Sequence, residues 1–240
     1  MKIAERLNAK QDMNSCAPVT IAFLGDSVTQ GCFECFIGDS GGIETVHDYG
    51  SAFSTHIREY LNLLYPNVQI NIINSGLSGG AAPGGLRRLE RDVLQYHPDL
   101  VVVSFGLNDC CNDNIPLPVY AEALQGIFSR LQQENIEAIF LTQNFMNTKI
   151  SSRIPEKSLR EGSALNMQRQ VEGILKQYME QGAAVAKEYG ARVCDLYSVW
   201  EKLAGCGVDT TNLLANRINH PIRQMHHYMA IKLIETMLNI

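Results

Sequence analysis

Short apolar segments alternate with helical patterns along almost the whole chain of 240 residues. Five segments are nearly continuous in apolar character and rich in residues that favour strands, at 19–24, 68–73, 100–105, 136–142 and 191–196. Continuous apolar runs are typical of strands that are covered on both faces. Apolar residues with helical spacing lie between and after these segments, at 49–64, 86–96, 119–133, 163–189 and 222–238. This alternation predicts a parallel sheet with helices on both faces.

The length of the chain suits one large α/β domain, and no repeat, linker or low-complexity segment divides it. We therefore predict a single domain over residues 1–240, with residues 1–17 as an N-terminal extension. The long helical pattern at 163–189 is expected to be interrupted at Gly173 or Gly182. Residues 143–163 form a polar segment after the fourth predicted strand, on the side of the sheet where ligand sites are found.

Charge and cysteine content narrow the class of protein. The net charge is −5 and basic residues do not cluster, which argues against nucleic acid or an anionic membrane as a partner. The polar first fifteen residues and the lack of a long apolar run predict a cytoplasmic protein without a signal peptide or membrane span. Seven cysteines at irregular spacing indicate free thiols. The single Cys-x-x-Cys pair, Cys32 and Cys35, has no second pair that would complete a zinc site.

Three serines lie in short motifs of the kind that surround nucleophiles. Ser40 lies in Gly-Asp-Ser-Gly-Gly, as in chymotrypsin-like proteases, but those are all-β and place their histidine before the serine. Here the first histidine is His47, so Ser40 is expected at a loop tip. Ser78 lies in Gly-x-Ser-x-Gly between a predicted strand and a helix, which is the context of a nucleophile elbow. Ser78 therefore stays open as an alternative.

Ser27 has a stronger context, because it follows the first predicted strand directly in the segment GDSVTQG. Its hydroxyl would lie at the carboxyl edge of the sheet, where open α/β sheets bind ligands. Three further segments follow later strands or precede the last helix, namely NSGLSG at 74–79, GLND at 106–109 and NHP at 219–221. These four segments in this order resemble the SGNH (GDSL-type) hydrolase and esterase family, from Ile21 to about Ala230.

The resemblance implies a three-layer, flavodoxin-like sandwich with a five-stranded parallel sheet. It also implies that Ser27 is the nucleophile and His220 its base, since a serine hydroxyl needs an adjacent base to attack an ester. His220 is the one histidine at a loop-to-helix junction of the sequence. By the same resemblance, the backbone N–H groups of Ser27 and Gly79 and the side-chain amide of Asn108 form the oxyanion hole. No metal or organic cofactor is required.

The sequence departs from the family at the acid that usually orients the histidine. That position, three residues before His220, holds Arg217, which cannot play this part because it is a cation. We expect Asp209 to replace the acid and keep Asp195 as the second choice. A Ser–His dyad is also open, in which a backbone carbonyl, Asn216 or Asn219 holds the imidazole ring.

These residues predict a serine esterase that hydrolyses a short-chain acyl ester through an acyl-serine intermediate. An O-acetyl group on a carbohydrate is the first substrate that we consider, and the partner is thus a small-molecule ester. A lysophospholipase or thioesterase activity at the same site remains an alternative, as does a non-catalytic carbohydrate-binding relative. The sequence does not decide whether the protein forms a homo-oligomer. Cys110 and Cys111 follow the GLND segment and could line the site.

Overall fold

The computed structural model describes residues 2–9, 16–154 and 156–240. The strands are β1 (Val19–Gly25), β2 (Cys32–Ile37), β3 (Ile43–His47), β4 (Ile70–Gly76), β5 (Leu100–Ser104), β6 (Glu137–Leu141) and β7 (Arg192–Cys194). The helices are α1 (Lys2–Ala9), α2 (Ser27–Gln30), α3 (Phe53–Leu64), α4 (Ala82–Asp92), α5 (Leu117–Gln133), α6 (Lys157–Val171), α7 (Ile174–Glu188), α8 (Tyr197–Gly205) and α9 (Arg223–Leu238).

Five strands form one parallel sheet in the order β4-β1-β5-β6-β7, which confirms the predicted fold class. From β1 the chain moves outward to β4 through α3, and then returns past β1 to β5 through α4. Because such crossovers are right-handed, α3 and α4 lie on opposite faces of the sheet. Helix α9 packs against α3, and α5 and α7 pack in sequence beside α4. The sheet is therefore the middle of three layers.

Each predicted strand corresponds to an observed strand, with ends that differ by a few residues. The long helical pattern divides into α6 and α7 at Gly173, which has a φ of 73° that L residues rarely adopt. The prediction missed α1, α2 and α8, and it missed the antiparallel hairpin of β2 and β3 that lies outside the main sheet. These are short elements, for which a periodic signal is weak.

Two apolar clusters hold the described residues together. The large one fills both sides of the sheet; all five residues of β5 are buried, and the four apolar ones belong to this cluster. The small one joins Ile154, Leu159 and Ile218, with Cys35 and Ile37 of the hairpin packed against them. Burying a side chain of this size contributes roughly 1.5–3 kcal/mol. The small cluster thus attaches the hairpin to the loop that precedes α9.

Over the described ranges 2–9, 16–154 and 156–240, none of the helices combines the length and apolar character that a bilayer span needs.

Candidate active site

The carboxyl ends of three neighbouring strands bring the predicted motifs together. Gly25 at the end of β1 is in register with Gly76 on β4 and with Ser104 on β5. The residues that follow these positions therefore leave the sheet side by side. They are the segments that hold Ser27, Gly79 and Asn108, so the parallel sheet alone collects three of the four motifs at one edge.

A tight turn positions Ser27 at this edge. Asp26 caps the short helix α2, because its carboxylate accepts a hydrogen bond from the Val28 N–H at 3.0 Å. At the end of β4, a Cβ on Gly76 would overlap the backbone of Gln30, so only glycine lets β4 approach α2 this closely. Ser27 is thus held by main-chain contacts on two sides, and its side chain is nearly buried.

The carboxyl group of Asp26 is itself fully buried next to the nucleophile. Burial raises its pKa to about 7, while the hydrogen bond from Val28 opposes that shift. Its second oxygen accepts a hydrogen bond at 2.8 Å from the side-chain amide of Gln143, which follows β6. Asp26 therefore ties the turn of β1 to the end of β6, which is a structural role.

Three candidate oxyanion donors surround the turn. Among the residues that the structure describes, none accepts a hydrogen bond from the backbone N–H of Ser27 or of Gly79. The Asn108 amide donates one hydrogen bond to the Gly80 carbonyl at 2.8 Å, which leaves its second hydrogen available and also fixes the turn that presents Gly79. Gly79 has a φ of 72° and no atom near the position of a Cβ, so its backbone is open to a ligand.

His220 bridges Ser27 and a backbone carbonyl. Its Nε2 lies 3.0 Å from Ser27 Oγ, and its Nδ1 lies 2.9 Å from the carbonyl oxygen of Phe33. A carbonyl only accepts, so Nδ1 carries the hydrogen and Nε2 has a free lone pair toward the serine. Burial lowers the pKa of His220 to about 4, against a smaller opposite effect of the Phe33 hydrogen bond. The imidazole is therefore neutral near pH 7, as a base must be.

The loop that carries His220 is organised by Asn216. Its side-chain oxygen accepts hydrogen bonds from three successive N–H groups, those of Ile218, Asn219 and His220, at 2.9–3.0 Å. Its amide nitrogen donates to the Asn219 side chain at 2.9 Å and lies 3.5 Å from the Cys35 sulfur. One nearly buried side chain thus sets the path of the backbone up to the base.

The segment after β6 anchors the same loop from the other side. Asn144 donates from its side chain to the Asn219 carbonyl at 2.9 Å, and the Asn147 N–H donates to the Ile218 carbonyl at 2.7 Å. Sequence reasoning expected this polar segment near the site but named none of its residues. The signal was present in NFMN at 144–147, where two asparagines that are fully buried flank apolar residues.

The structure does not bring Asp209 to His220, so the expectation that Asp209 orients the base needs correction. The Asp209 carboxylate pairs with the Lys149 ammonium and accepts from the Asn212 side chain at 2.8 Å. Asp195 accepts from Thr142 and Ser198 beside β7. Of the open alternatives, the backbone carbonyl is the group that meets the His220 ring, and it comes from Phe33 in the hairpin that the sequence analysis missed.

The two rival serines lie elsewhere. Ser40 lies at the exposed tip of the β2–β3 hairpin, where its hydroxyl accepts from the Gly42 N–H at 3.4 Å. Ser78 lies in the exposed turn before α4, and its N–H donates to the Gln30 side chain at 2.7 Å. No histidine forms a hydrogen bond with the Ser78 hydroxyl in the part of the chain that the structure describes.

The cysteine motifs hold free thiols close to the site. Cys35 Sγ lies 3.9 Å from His220 Nδ1, and Cys32 Sγ lies 3.4 Å from His47 Nδ1. Cys110 and Cys111 follow Asp109, with their sulfurs 4.0 Å apart. Within residues 2–9, 16–154 and 156–240, no group of three or more histidine, cysteine, aspartate or glutamate side chains is arranged to hold a metal ion.

Comparison with known proteins finds similarity to esterases and to a lipase/acylhydrolase. A curated acetylxylan esterase of Geobacillus stearothermophilus is 29% identical over 89 residues, a match of 37% of this chain and 39% of that protein. A lipase/acylhydrolase structure from Enterococcus faecalis has a TM-score of 0.69 at 20% identity, covering 92% of this chain and 96% of that one. A two-domain esterase active on acetylated mannans has a TM-score of 0.67 at 18% identity, and 98% of this chain spans 51% of it.

The structural likenesses show a shared fold, since their sequence identity is low. The model of the GDSL-like lipase/acylhydrolase family matches residues 23–227, which include the Ser27 turn, the Gly79 turn, Asn108 and His220. With that match over most of the chain, this chain belongs to the GDSL-like lipase/acylhydrolase family.

Proposed function

We propose that this protein is a serine esterase that removes a short acyl group, with acetyl esters of carbohydrates as its substrate class. The observation that carries the proposal is the 3.0 Å contact between Ser27 Oγ and the unprotonated Nε2 of a neutral, buried His220. This pair is a nucleophile with its general base. The carbohydrate part is supported by the curated acetylxylan esterase and by the solved esterase active on acetylated mannans.

The reaction follows from this geometry in two steps. Ser27 Oγ attacks the ester carbonyl while its proton passes to His220 Nε2, and the oxyanion forms where the N–H groups of Ser27 and Gly79 and the free Asn108 hydrogen converge. The tetrahedral intermediate then expels the alcohol, which takes the proton from Nε2, and leaves an acyl-serine. A water molecule that loses its proton to Nε2 attacks this ester, and the second tetrahedral intermediate collapses to release the acid while Ser27 Oγ takes the proton back from Nε2.

The base works here without a carboxylate behind it. During each step the imidazole becomes a cation, and the Phe33 carbonyl dipole is the group that faces its Nδ1–H. The charge of Glu34 also favours the protonated form of His220, although less than burial opposes it. This arrangement fixes the tautomer and the ring orientation, which are the tasks that the carboxylate of a catalytic triad performs.

A substrate panel tests the proposal. Purified protein is assayed with p-nitrophenyl esters from acetate to dodecanoate, with acetylated xylo- and manno-oligosaccharides, with a lysophospholipid and with an acyl thioester. We expect acetate release from the oligosaccharides and a decline in rate with acyl length, both absent in S27A. Faster cleavage of the lysophospholipid or the thioester would overturn the substrate class. No turnover and no labelling by a fluorophosphonate would favour a non-catalytic relative.

A further inference from the structure

The Phe33 carbonyl holds His220, so whatever fixes that carbonyl also controls the base. Phe33 lies in β2, where the pairing with β3 shifts between Cys32 and Cys35. Cys32 pairs with His47 and Cys35 with Thr45, so two residues of β2, Phe33 and Glu34, oppose a single residue of β3. This is a β-bulge, which releases backbone groups from the ladder and redirects side chains. The bulge explains why a strand carbonyl is free to accept from His220.

Arg223, on helix α9 after His220, contacts the bulge through its side chain. Arg223 is the first residue of α9, three positions after His220. Its guanidinium donates to both carboxylate oxygens of Glu34, at 2.7 and 3.2 Å, and its Nε donates to Asp48 at 2.8 Å. The same guanidinium lies 4.3 Å from the centre of the Phe33 ring. Arg223 thus contacts both residues of the bulge and the residue that follows β3.

We call Arg223, Glu34, Asp48 and Phe33 the Arg223 clamp. Asp48 and Phe33 also make contacts outside this group. Asp48 donates its N–H to the Gly31 carbonyl at 2.9 Å, directly after the helix that begins with Ser27. On its other side, the Phe33 ring packs against His226 of α9, with ring centres 4.7 Å apart. The clamp therefore links the hairpin, the nucleophile helix and the helix that follows the base.

We propose that Arg223 is a positioning residue, which holds the bulge so that the Phe33 carbonyl keeps His220 aligned with Ser27. The proposal rests on the proposed function of the Ser27–His220 pair. Bidentate pairing and packing over a ring are properties of a guanidinium that an ammonium does not share.

The clamp is suited to orientation more than to stability. The side chains of Arg223, Glu34 and Asp48 are each about a third or more exposed, at 36%, 44% and 33%. Exposed ion pairs each contribute a small part of the free energy of unfolding, and a bidentate pair in a network lies at the upper end of that range, which is still less than most domains need to unfold. A displacement of about 1 Å in a catalytic group, in contrast, costs up to about 10²-fold in rate. Loss of the clamp is thus expected to lower turnover while the protein stays folded.

The test compares R223M, R223K and E34Q with R130M, which removes an exposed Arg130–Glu90 ion pair far from the site. Hydrolysis of p-nitrophenyl acetate is measured across pH and normalised to the active fraction by titration with a phosphonate ester. We expect the pH-independent kcat of R223M and E34Q to fall about 10- to 100-fold with little change in KM. R223K should recover part of the loss and R130M should match the wild type.

Two further readouts separate positioning from other roles. A purely electrostatic role would move the acid limb of the pH profile and leave the plateau of kcat unchanged, which would overturn the proposal. So would a loss that is explained fully by a lower active fraction or a lower Tm. The Nδ1–H resonance of His220 gives a readout without substrate, and R223M should shift or broaden it. If the wild type itself fails to cleave the ester, the proposed function fails, and this resonance still tests the clamp.

Discussion

The two halves of the active site are held by different kinds of structure. Ser27, the proposed nucleophile, and the candidate oxyanion donors lie after β1, β4 and β5, whose ends are in register in one sheet. The base lies in a loop that is fixed by Asn216, by the segment after β6 and by a carbonyl of the bulged hairpin. The sheet edge is built from strand pairing and glycine contacts, with the side chains of Asp26 and Asn108 fixing its turns, while His220 lies outside the sheet and is held by polar side chains and one carbonyl. Substitutions should therefore act differently on the two halves.

The largest effect is expected at the sheet edge, where one hydroxyl carries the chemistry. S27A removes the nucleophile and should lower kcat for p-nitrophenyl acetate by about 10⁴- to 10⁶-fold, with no change in fold. The matched control is S78A, which alters the other serine in a strand-to-helix turn and should retain activity within about twofold. A fluorophosphonate should label S78A but not S27A. Labelling of S27A but not of S78A would transfer the role of nucleophile to Ser78.

The second effect tests the oxyanion half of that edge. The Asn108 amide donates one hydrogen to the Gly80 carbonyl, and its second hydrogen is available to an oxyanion. N108A removes both, so we expect kcat to fall about 10²- to 10³-fold with a small change in KM. N112A is the control, because Asn112 lies in the same connection and, within the described residues, its side chain bonds the Asn114 N–H alone. A kcat of N108A within threefold of the wild type would remove Asn108 from the oxyanion hole.

The third prediction moves to the half that holds the base. N216A leaves the N–H groups of Ile218, Asn219 and His220 without their common acceptor, so the loop should relax and kcat should fall about 10- to 100-fold. Stability should fall as well, because buried donors lose their partner. N212A is the control, since Asn212 lies in the same loop and its side chain bonds Asp209 and Arg217 rather than the N–H groups that precede the base. Equal kcat values for N216A and the wild type would show that the loop is fixed without this side chain.

What the sequence could predict follows the same division. Continuous apolar strands and the order of the motifs sufficed to place Ser27, Gly79 and Asn108 at one edge, because parallel strands end together. The role of the Phe33 carbonyl could not be predicted from the sequence. Every residue has a backbone carbonyl, and a β-bulge depends on the pairing with the partner strand. The hairpin itself was signalled by the Gly41–Gly42 pair between two β-rich segments. The same residues also resemble a protease motif, and that resemblance masks the hairpin in the sequence.

The fourth prediction concerns the protonation of the base. Burial lowers the pKa of His220 to about 4, and the base acts when neutral, so protonation of His220 should lower activity only as the pH falls through that value, whereas Asp26, whose pKa burial raises to about 7, titrates well above it. At pH 5.5, kcat/KM should stay within about twofold of its value at pH 7, whereas a histidine with an ordinary pKa of about 6.5 would lose about tenfold. Circular dichroism at each pH checks that the protein stays folded. An acid limb near pH 6.5 would show either that solvent or a carboxylate reaches the ring, or that protonation of Asp26 disturbs the turn that holds Ser27.

The smallest effect is expected from the carboxylates that the sequence favoured. D209N breaks a pair with Lys149 at the surface, and D195N alters contacts with Thr142 and Ser198. Neither carboxylate bonds His220, whose Nδ1–H is already taken by the Phe33 carbonyl, so kcat should change less than about twofold in both variants. A triad acid would instead cost several orders of magnitude in kcat, as removal of the aspartate does in serine proteases. A loss above tenfold in D209N alone would mean that the loop moves to bring this carboxylate to the base during turnover. The carbonyl contact would then describe only the resting enzyme, and the contrast between the two halves of the site would not extend to its chemistry.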